Sequence, residues 1–423
     1  MSNGGIFQEV NKMTNNWLLQ DSRLSLEVVI LLICSMSMLI LGTVLFPVHA
    51  GILPYYEGGL FGLLLFVFSL QTITLGKTPF GDAARSRLLI SAGTVIAVIG
   101  MVSCFIPDAM GRVPRILLIS FFGIGGMSLL LQLFLSRSKF RIWRKYGKIF
   151  HHLTISCALV YILSIVMAVF LYNTELATTP QIASSALIFG LAILYLSWVL
   201  QKIYSNQPSQ STSPGETKKG LRASADVSID NILLMVLGLF ILILGLLLIP
   251  VNLGMLPFSG SAQLGLMMVI FSVQMIALGN TPIGPFRRSR LMVITGLLFA
   301  ALGITSCIIP GILVPSLTLF IGLLNLIGGI AAIVKILAQA LKAPQSPEST
   351  PNKIQAQITM ATLIMNILTI VFGASMLVPN IIPGLILGAV LTADGFVLLF
   401  LVSLLVRIQQ GSWGPFSPRH CDK

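Results

Sequence analysis

Residues Gly76–Leu88 read GKTPFGDAARSRL, and residues Gly279–Leu291 read GNTPIGPFRRSRL. Gly, Thr, Pro, Gly, Arg, Ser, Arg and Leu recur between them at a constant offset of 203 residues. A Thr-Pro-x-Gly core is turn chemistry, because Pro fixes φ and Gly tolerates φ > 0. Each copy is a short polar turn between two long apolar runs. The chain therefore reads as a tandem duplication, with both turns on one side of a membrane.

Composition supports the membrane. The 423 residues are 56% hydrophobic and only 9% charged, with a mean hydropathy of +0.95. A soluble domain carries about 25% charged residues. Apolar runs of about 20 residues, each long enough to cross a bilayer as a helix, account for the deficit. They fall at 24–46, 58–76, 88–107, 113–135, 150–172 and 181–203, then at 231–250, 262–279, 291–310, 313–335, 355–378 and 381–406. The fold class is an all-α polytopic membrane protein of about twelve transmembrane helices.

The duplication extends beyond the turns. Gly42, Pro47, Ser69, Gln71, Gly93, Gly100, Cys104 and Pro107 match Gly245, Pro250, Ser272, Gln274, Gly296, Gly303, Cys307 and Pro310 at the same offset of 203. Further on, Lys148-Ile149 and Ile162-Leu163 match Lys353-Ile354 and Ile367-Leu368 at an offset of 205. Six helices per copy is an even number, so the copies enter from the same side as parallel repeats. Gly followed by Pro at helix ends, as in Gly42/Pro47 and Gly303/Pro310, suggests three helical hairpins per repeat. The expected organisation is a polar segment at 1–23, a six-helix repeat at 24–203, a Ser/Pro-rich linker at 204–230, a second repeat at 231–407 and a tail at 408–423. Phe7, Val10, Trp17 and Leu18 suit either a short interfacial helix or a disordered tail.

The net charge of +13 does not point to nucleic acid, because its placement alternates. The amino-terminal segment, the even-to-odd loops and the tail hold 24 of the 26 Lys and Arg; Arg112 and Arg115 are the other two. By the positive-inside rule, both termini and both turns face the cytoplasm. Arg85, Arg87, Arg287, Arg288 and Arg290 then lie at headgroup level. With Thr78, Pro79, Gly81, Thr281, Pro282 and Gly284 they form either turns anchored on anionic lipid or a gating contact between the halves. The first turn is similar in residue type to the loop of major facilitator transporters, with different spacing.

Candidate chemistry sits at mid-depth. Asp394, Asn366 and Asn325 fall near the middles of their runs, and an intramembrane carboxyl is costly. They read as a proton or cation path, or as hydrogen bonds joining helices. Their counterparts in the first half are Phe189, Tyr161 and Phe122, so the polar cluster is one-sided. Gln71 and Gln274 suit a symmetric vestibule or interhelical bonding. The five cysteines contain no C-x-x-C pair, and Cys104 and Cys307 read as two small buried thiols. No phosphate-loop, zinc-protease or nucleophile-elbow motif occurs, so neither an enzyme nor a cofactor is expected.

The segment Gly296–Leu337, GLLFAALGITSCIIPGILVPSLTLFIGLLNLIGGIAAIVKIL, resembles the HdeD-like family of bacterial multipass proteins. Gly303, Pro310, Gly322 and Gly329 carry the likeness, and residues 93–133 and 361–405 look similar. The resemblance implies a bacterial inner-membrane protein of double length, associated with stress tolerance, and transfers no catalytic residue.

Overall fold

The computed structural model describes residues 20–22, 24–82, 86–135, 148–173, 175–206, 228–281, 283–342, 353–378 and 381–411. The 1–19 segment, Arg85, Pro282, the 207–227 linker and the 412–423 tail lie outside these residues.

Twelve helices among the described residues are long and apolar enough to cross a membrane. They are α1 (Leu26–His49), α2 (Glu57–Leu75), α3 (Arg87–Phe105), α4 (Val113–Leu135), α5 (Lys148–Tyr172), α6 (Thr179–Asn206), α7 (Ile229–Asn252), α8 (Gly260–Leu278), α9 (Arg290–Ile308), α10 (Val314–Lys342), α11 (Lys353–Leu377) and α12 (Gly384–Gly411). The chain is a multipass membrane protein. Serine side chains start several helices: Ser25, Ser86, Ser228, Ser259 and Ser289 each accept a bond from a first-turn backbone N–H.

The two recurring turns are miniature hairpins. Lys77–Thr78 pairs antiparallel with Gly81–Asp82, and Asn280–Thr281 with Gly284–Pro285. Thr78 Oγ1 donates to Gly81 O at 2.7 Å, and Thr281 Oγ1 to Gly284 O at 2.8 Å. Gly76 and Gly279 end α2 and α8 with φ of 69° and 75°, a left-handed cap that glycine adopts without strain.

Contacts divide the chain into two compact units. The first contains α1–α6 with α8, α9 and the start of α10, and the second contains α7, α10 from Leu319, α11 and α12. In the first, α1 packs along α6, α2 along α3 and α8 along α9, while α5 lies against α4 and α6. The α8–α9 pair packs on α1, α2 and α3. In the second, α7 packs along α12, and α11 along α12. The main seams thus join first helix to sixth and second to third, rather than the α1–α2 and α3–α4 pairs that successive hairpins imply.

Glycine explains the choice of seam. A Cβ built on Gly62 of α2 would stand 2.4 Å from Gly100 O of α3, and one on Gly265 of α8 would stand 2.4 Å from Gly303 O of α9. Without side chains the backbones touch, which is how membrane helices associate closely. Gly42 of α1 meets Ala183 O and Leu187 of α6; Gly245 of α7 meets Gly388 O and Thr392 of α12.

A candidate cavity beside an ion pair

Within the first unit, helices α1, α2, α4, α5 and α6 surround a cavity of about 330 Å³. That is within the range of small-molecule sites, which start at about 300 Å³. One end lies at the first turn and is lined by Glu27, Lys77, Thr78, Pro79, Gly81 and Gln132. The deep end is lined by Phe68, Phe121, Phe122, Ser164 and Phe189.

Glu27 sits in the first turn of α1, where unpaired backbone N–H groups favour a negative charge. Its carboxylate accepts from Lys77 Nζ through one oxygen and from Tyr204 OH through the other, the latter at 2.6 Å. The Glu27 side chain is 12% exposed and that of Lys77 35%. The acid is therefore the more enclosed partner, and the base reaches in from the turn. This triad ties α1, the turn and the end of α6 together.

The turn is also held from above. Ser128 Oγ and Gln132 Nε2 of α4 both donate to Phe80 O, at 3.1 and 2.8 Å. A Cβ on Gly125 would stand 2.6 Å from Pro79 O, so α4 rests directly on the turn backbone.

The deep end is aromatic. Phe68 meets Phe121 and Phe122 edge to face, with ring centroids 5.7 and 5.4 Å apart, and Phe122 meets Phe189 at 5.9 Å. Phe121 and Phe122 lie in a π-helical segment of α4, Ser120–Gly125. Such single-turn departures from α geometry are frequent at functional sites because they re-aim side chains. Ser164 of α5 steadies this one by donating to Phe122 O at 3.2 Å.

The structure sorts the expected residues as follows. Gln71 lines the cavity with Thr78, Pro79 and Gly81, whereas Gln274 is not among its lining residues. Arg87 opens α3, and Arg290 opens α9. Arg287 Nε pairs with Asp21 at 2.9 Å, Arg288 O accepts from Ser22 N at 3.0 Å and Arg290 N donates to Gln20 O at 3.1 Å. The second turn therefore carries the end of the amino-terminal segment as a strand-like strap.

In the second unit, Asn325 and Asn366 border one seam. A Cβ on Gly373 of α11 would stand 3.2 Å from Asn325 Cβ, and one on Gly329 of α10 would stand 3.1 Å from Asn366 O. Asn366 Nδ2 donates to Thr362 O of its own helix at 2.7 Å. Asp394 is buried on α12. Asp394 Oδ1 and Asn325 Nδ2 are buried with no hydrogen-bond partner among the described residues, so these two atoms do not bond each other.

Sequence reasoning passed over the cavity itself. Yet the counterparts of Asp394, Asn366 and Asn325, namely Phe189, Tyr161 and Phe122, all line it. The signal was that offset, read in the aromatic copy instead of the polar one. Lys77 counts among the cytoplasmic charges that set topology, although it is replaced by Asn280 in the second copy, and Glu27 carries no sequence signal of its own.

Compared with models of protein families, with curated proteins and with solved structures, the chain matches none.

Proposed function

We infer that this protein is a secondary transporter of the bacterial inner membrane, with the first-unit cavity as its substrate site. The observation that carries the reading is the cavity itself. It is lined by five helices and brings the Glu27–Lys77 ion pair into one space with the rings of Phe68, Phe121, Phe122 and Phe189. Apolar cavities between the helices of a bundle, with a few convergent polar groups, are where small-molecule sites form.

Two parallel six-helix repeats fit this reading. The Gly62–Gly100 contact returns as Gly265–Gly303, each residue displaced by 203. The contact of Gly42 with Ala183 and Leu187 returns as Gly245 with Gly388 and Thr392, at offsets of 203 and 205. On the charge asymmetry of the loops, both termini and both turns are cytoplasmic, next to anionic headgroups.

The copies divide the work. The first holds the organic substrate among aromatic rings. The second places Asp394, Asn366 and Asn325 at the equivalent positions, with Asp394 as the proton or cation carrier. The competing reading follows from the HdeD-like resemblance of Gly296–Leu337 and makes the protein a stress-related component that transports nothing.

Uptake into proteoliposomes separates the two. A panel of small cationic, neutral and anionic aromatic solutes is presented to the wild type and to Val160→Trp, which fills the cavity. Flux in the wild type that disappears in Val160→Trp supports transport through this site. Equal flux in both excludes the cavity, and no flux with any solute favours the stress reading.

A further inference from the structure

The geometry points to a hydrophobic organic cation as the occupant of this cavity, its positive nitrogen replacing the Lys77 ammonium at Glu27. The inference rests on the cavity being the substrate site and adds the chemical class.

Three features carry it. First, the cavity's carboxylate is enclosed and its base is peripheral: Glu27 is 12% exposed and Lys77 35%. A buried charge needs a partner, so Glu27 keeps one at all times, either Lys77 or a cation that displaces it. Lys77 is the partner that can leave, because it is carried on a two-residue strand at the rim and ends in a flexible stem. Glu27 lies on α1 itself and is held a second time by Tyr204 OH.

Second, the wall beyond the carboxylate consists of rings. Phe68, Phe121, Phe122, Phe189 and Tyr161 all face the space. Ring faces attract cations, and the attraction grows when water is excluded. An anion would meet the negative faces of the same rings and would leave Glu27 both repelled and unpaired. A neutral ligand would gain the apolar area without any reason to open the ion pair.

Third, the other polar groups suit a cation's substituents rather than a second charge. Gln71, Ser164 and Gln132 are neutral, and among the described lining residues Glu27 and Lys77 are the charged ones. Entry of a monovalent cation with outward release of Lys77 keeps the cavity's charge constant. The lysine thus acts as a tethered stand-in for the substrate, which closes the site when it is empty.

The test uses the full-length protein in lipid nanodiscs with tritiated benzyltrimethylammonium. The competitors are neopentylbenzene, which has the same shape with carbon in place of the charged nitrogen, and benzenesulfonate. The wild type should bind the cation saturably, with neither competitor displacing it at equal concentration. Glu27→Gln should weaken binding about tenfold or more, and Lys77→Gln should tighten it about tenfold by removing the internal competitor. Lys77→Gln leaves the acid in place, so the test does not depend on Glu27→Gln folding.

Displacement by neopentylbenzene, weaker cation binding in Lys77→Gln, or no saturable binding of the cation overturns the proposal. If neopentylbenzene or benzenesulfonate binds instead, and Val160→Trp abolishes that binding, the cavity remains the substrate site and only the cation is wrong.

Discussion

The backbone N–H of Tyr56 donates to the carbonyl of Ile308 at 2.9 Å. Displaced by 203 residues, the N–H of Ser259 donates to Phe105 O at 2.8 Å. Each bond caps the end of a helix from the other copy with the residue that precedes a helix of its own. Beneath them, Cys104 Sγ donates to Gly59 O at 3.4 Å and Cys307 Sγ to Ala262 O at 3.5 Å, and the two thiols meet each other. The α2–α3 and α8–α9 pairs are therefore joined reciprocally.

That junction is sensitive to volume. Gly265→Ala puts a methyl 2.4 Å from Gly303 O, whereas Gly260→Ala on the same helix meets nothing nearer than 3.9 Å. The first should lower stability by about 1–3 kcal/mol and the second should stay within about 0.5 kcal/mol. Thermal unfolding in detergent compares them, and equal midpoints would refute the close packing.

Tyr56 OH donates to Ser103 O at 2.9 Å, and its burial raises its pKa, which keeps the proton in place for donation. Tyr56→Phe leaves that carbonyl without this donor and should cost about 1–2 kcal/mol. The second copy makes the same bond from Ser261 Oγ to Ser306 O at 2.8 Å, so Ser261→Ala should cost a similar amount. Denaturation of the two variants, measured side by side, checks the equivalence.

The cysteines report on the cavity. Cys34 and Cys157 line it, while Cys104 and Cys307 have no exposed surface. A maleimide should label Cys34 and Cys157 at least about tenfold faster than the Cys104–Cys307 pair, since reaction follows access to the thiolate. Val160→Trp should slow the labelling of Cys157. Mass spectrometry of peptides gives the rates, and uniform labelling would mean that the cavity is shut to small molecules.

Asp394 has a buried carboxyl oxygen with no partner among the described residues, which makes the side chain a burden on the fold. Asp394→Leu should unfold at the same temperature as the wild type or higher. In proteoliposomes it should keep substrate binding and lose accumulation driven by a proton gradient. Unchanged accumulation would remove Asp394 from the coupling role.

Orientation has its own check. A reporter fused after Lys423, and another inserted at Ser213 in the linker, should both report cytoplasm. A periplasmic signal from either would overturn the reading of the loop charges.

Hydropathy was enough to find every described helix. The run at 113–135 returns as α4 with the same bounds, and the run at 231–250 returns as α7, Ile229–Asn252. Such agreement is expected, because crossing a bilayer sets a minimum apolar length whatever the neighbours are. The turns were legible for a local reason: Thr78 and Gly81 close on each other within four residues. Packing partners were not. Gly42 and Gly62 look alike in the sequence, yet one meets α6 and the other α3. The cavity escaped because most of its wall is built from leucine, isoleucine, valine and phenylalanine residues that read as ordinary span residues. Its two charges lie at helix ends, where charge is the rule. An empty space between helices leaves no mark on hydropathy.

The reciprocal bonds from Tyr56 and Ser259 have a consequence for symmetry. A contact in which each partner offers the same groups is what a two-fold homodimer makes. Two identical chains carrying these groups would make the same pair of bonds without a covalent link between them. Lys77 against Asn280, and Phe189 against Asp394, are differences that a dimer of identical chains could not have held.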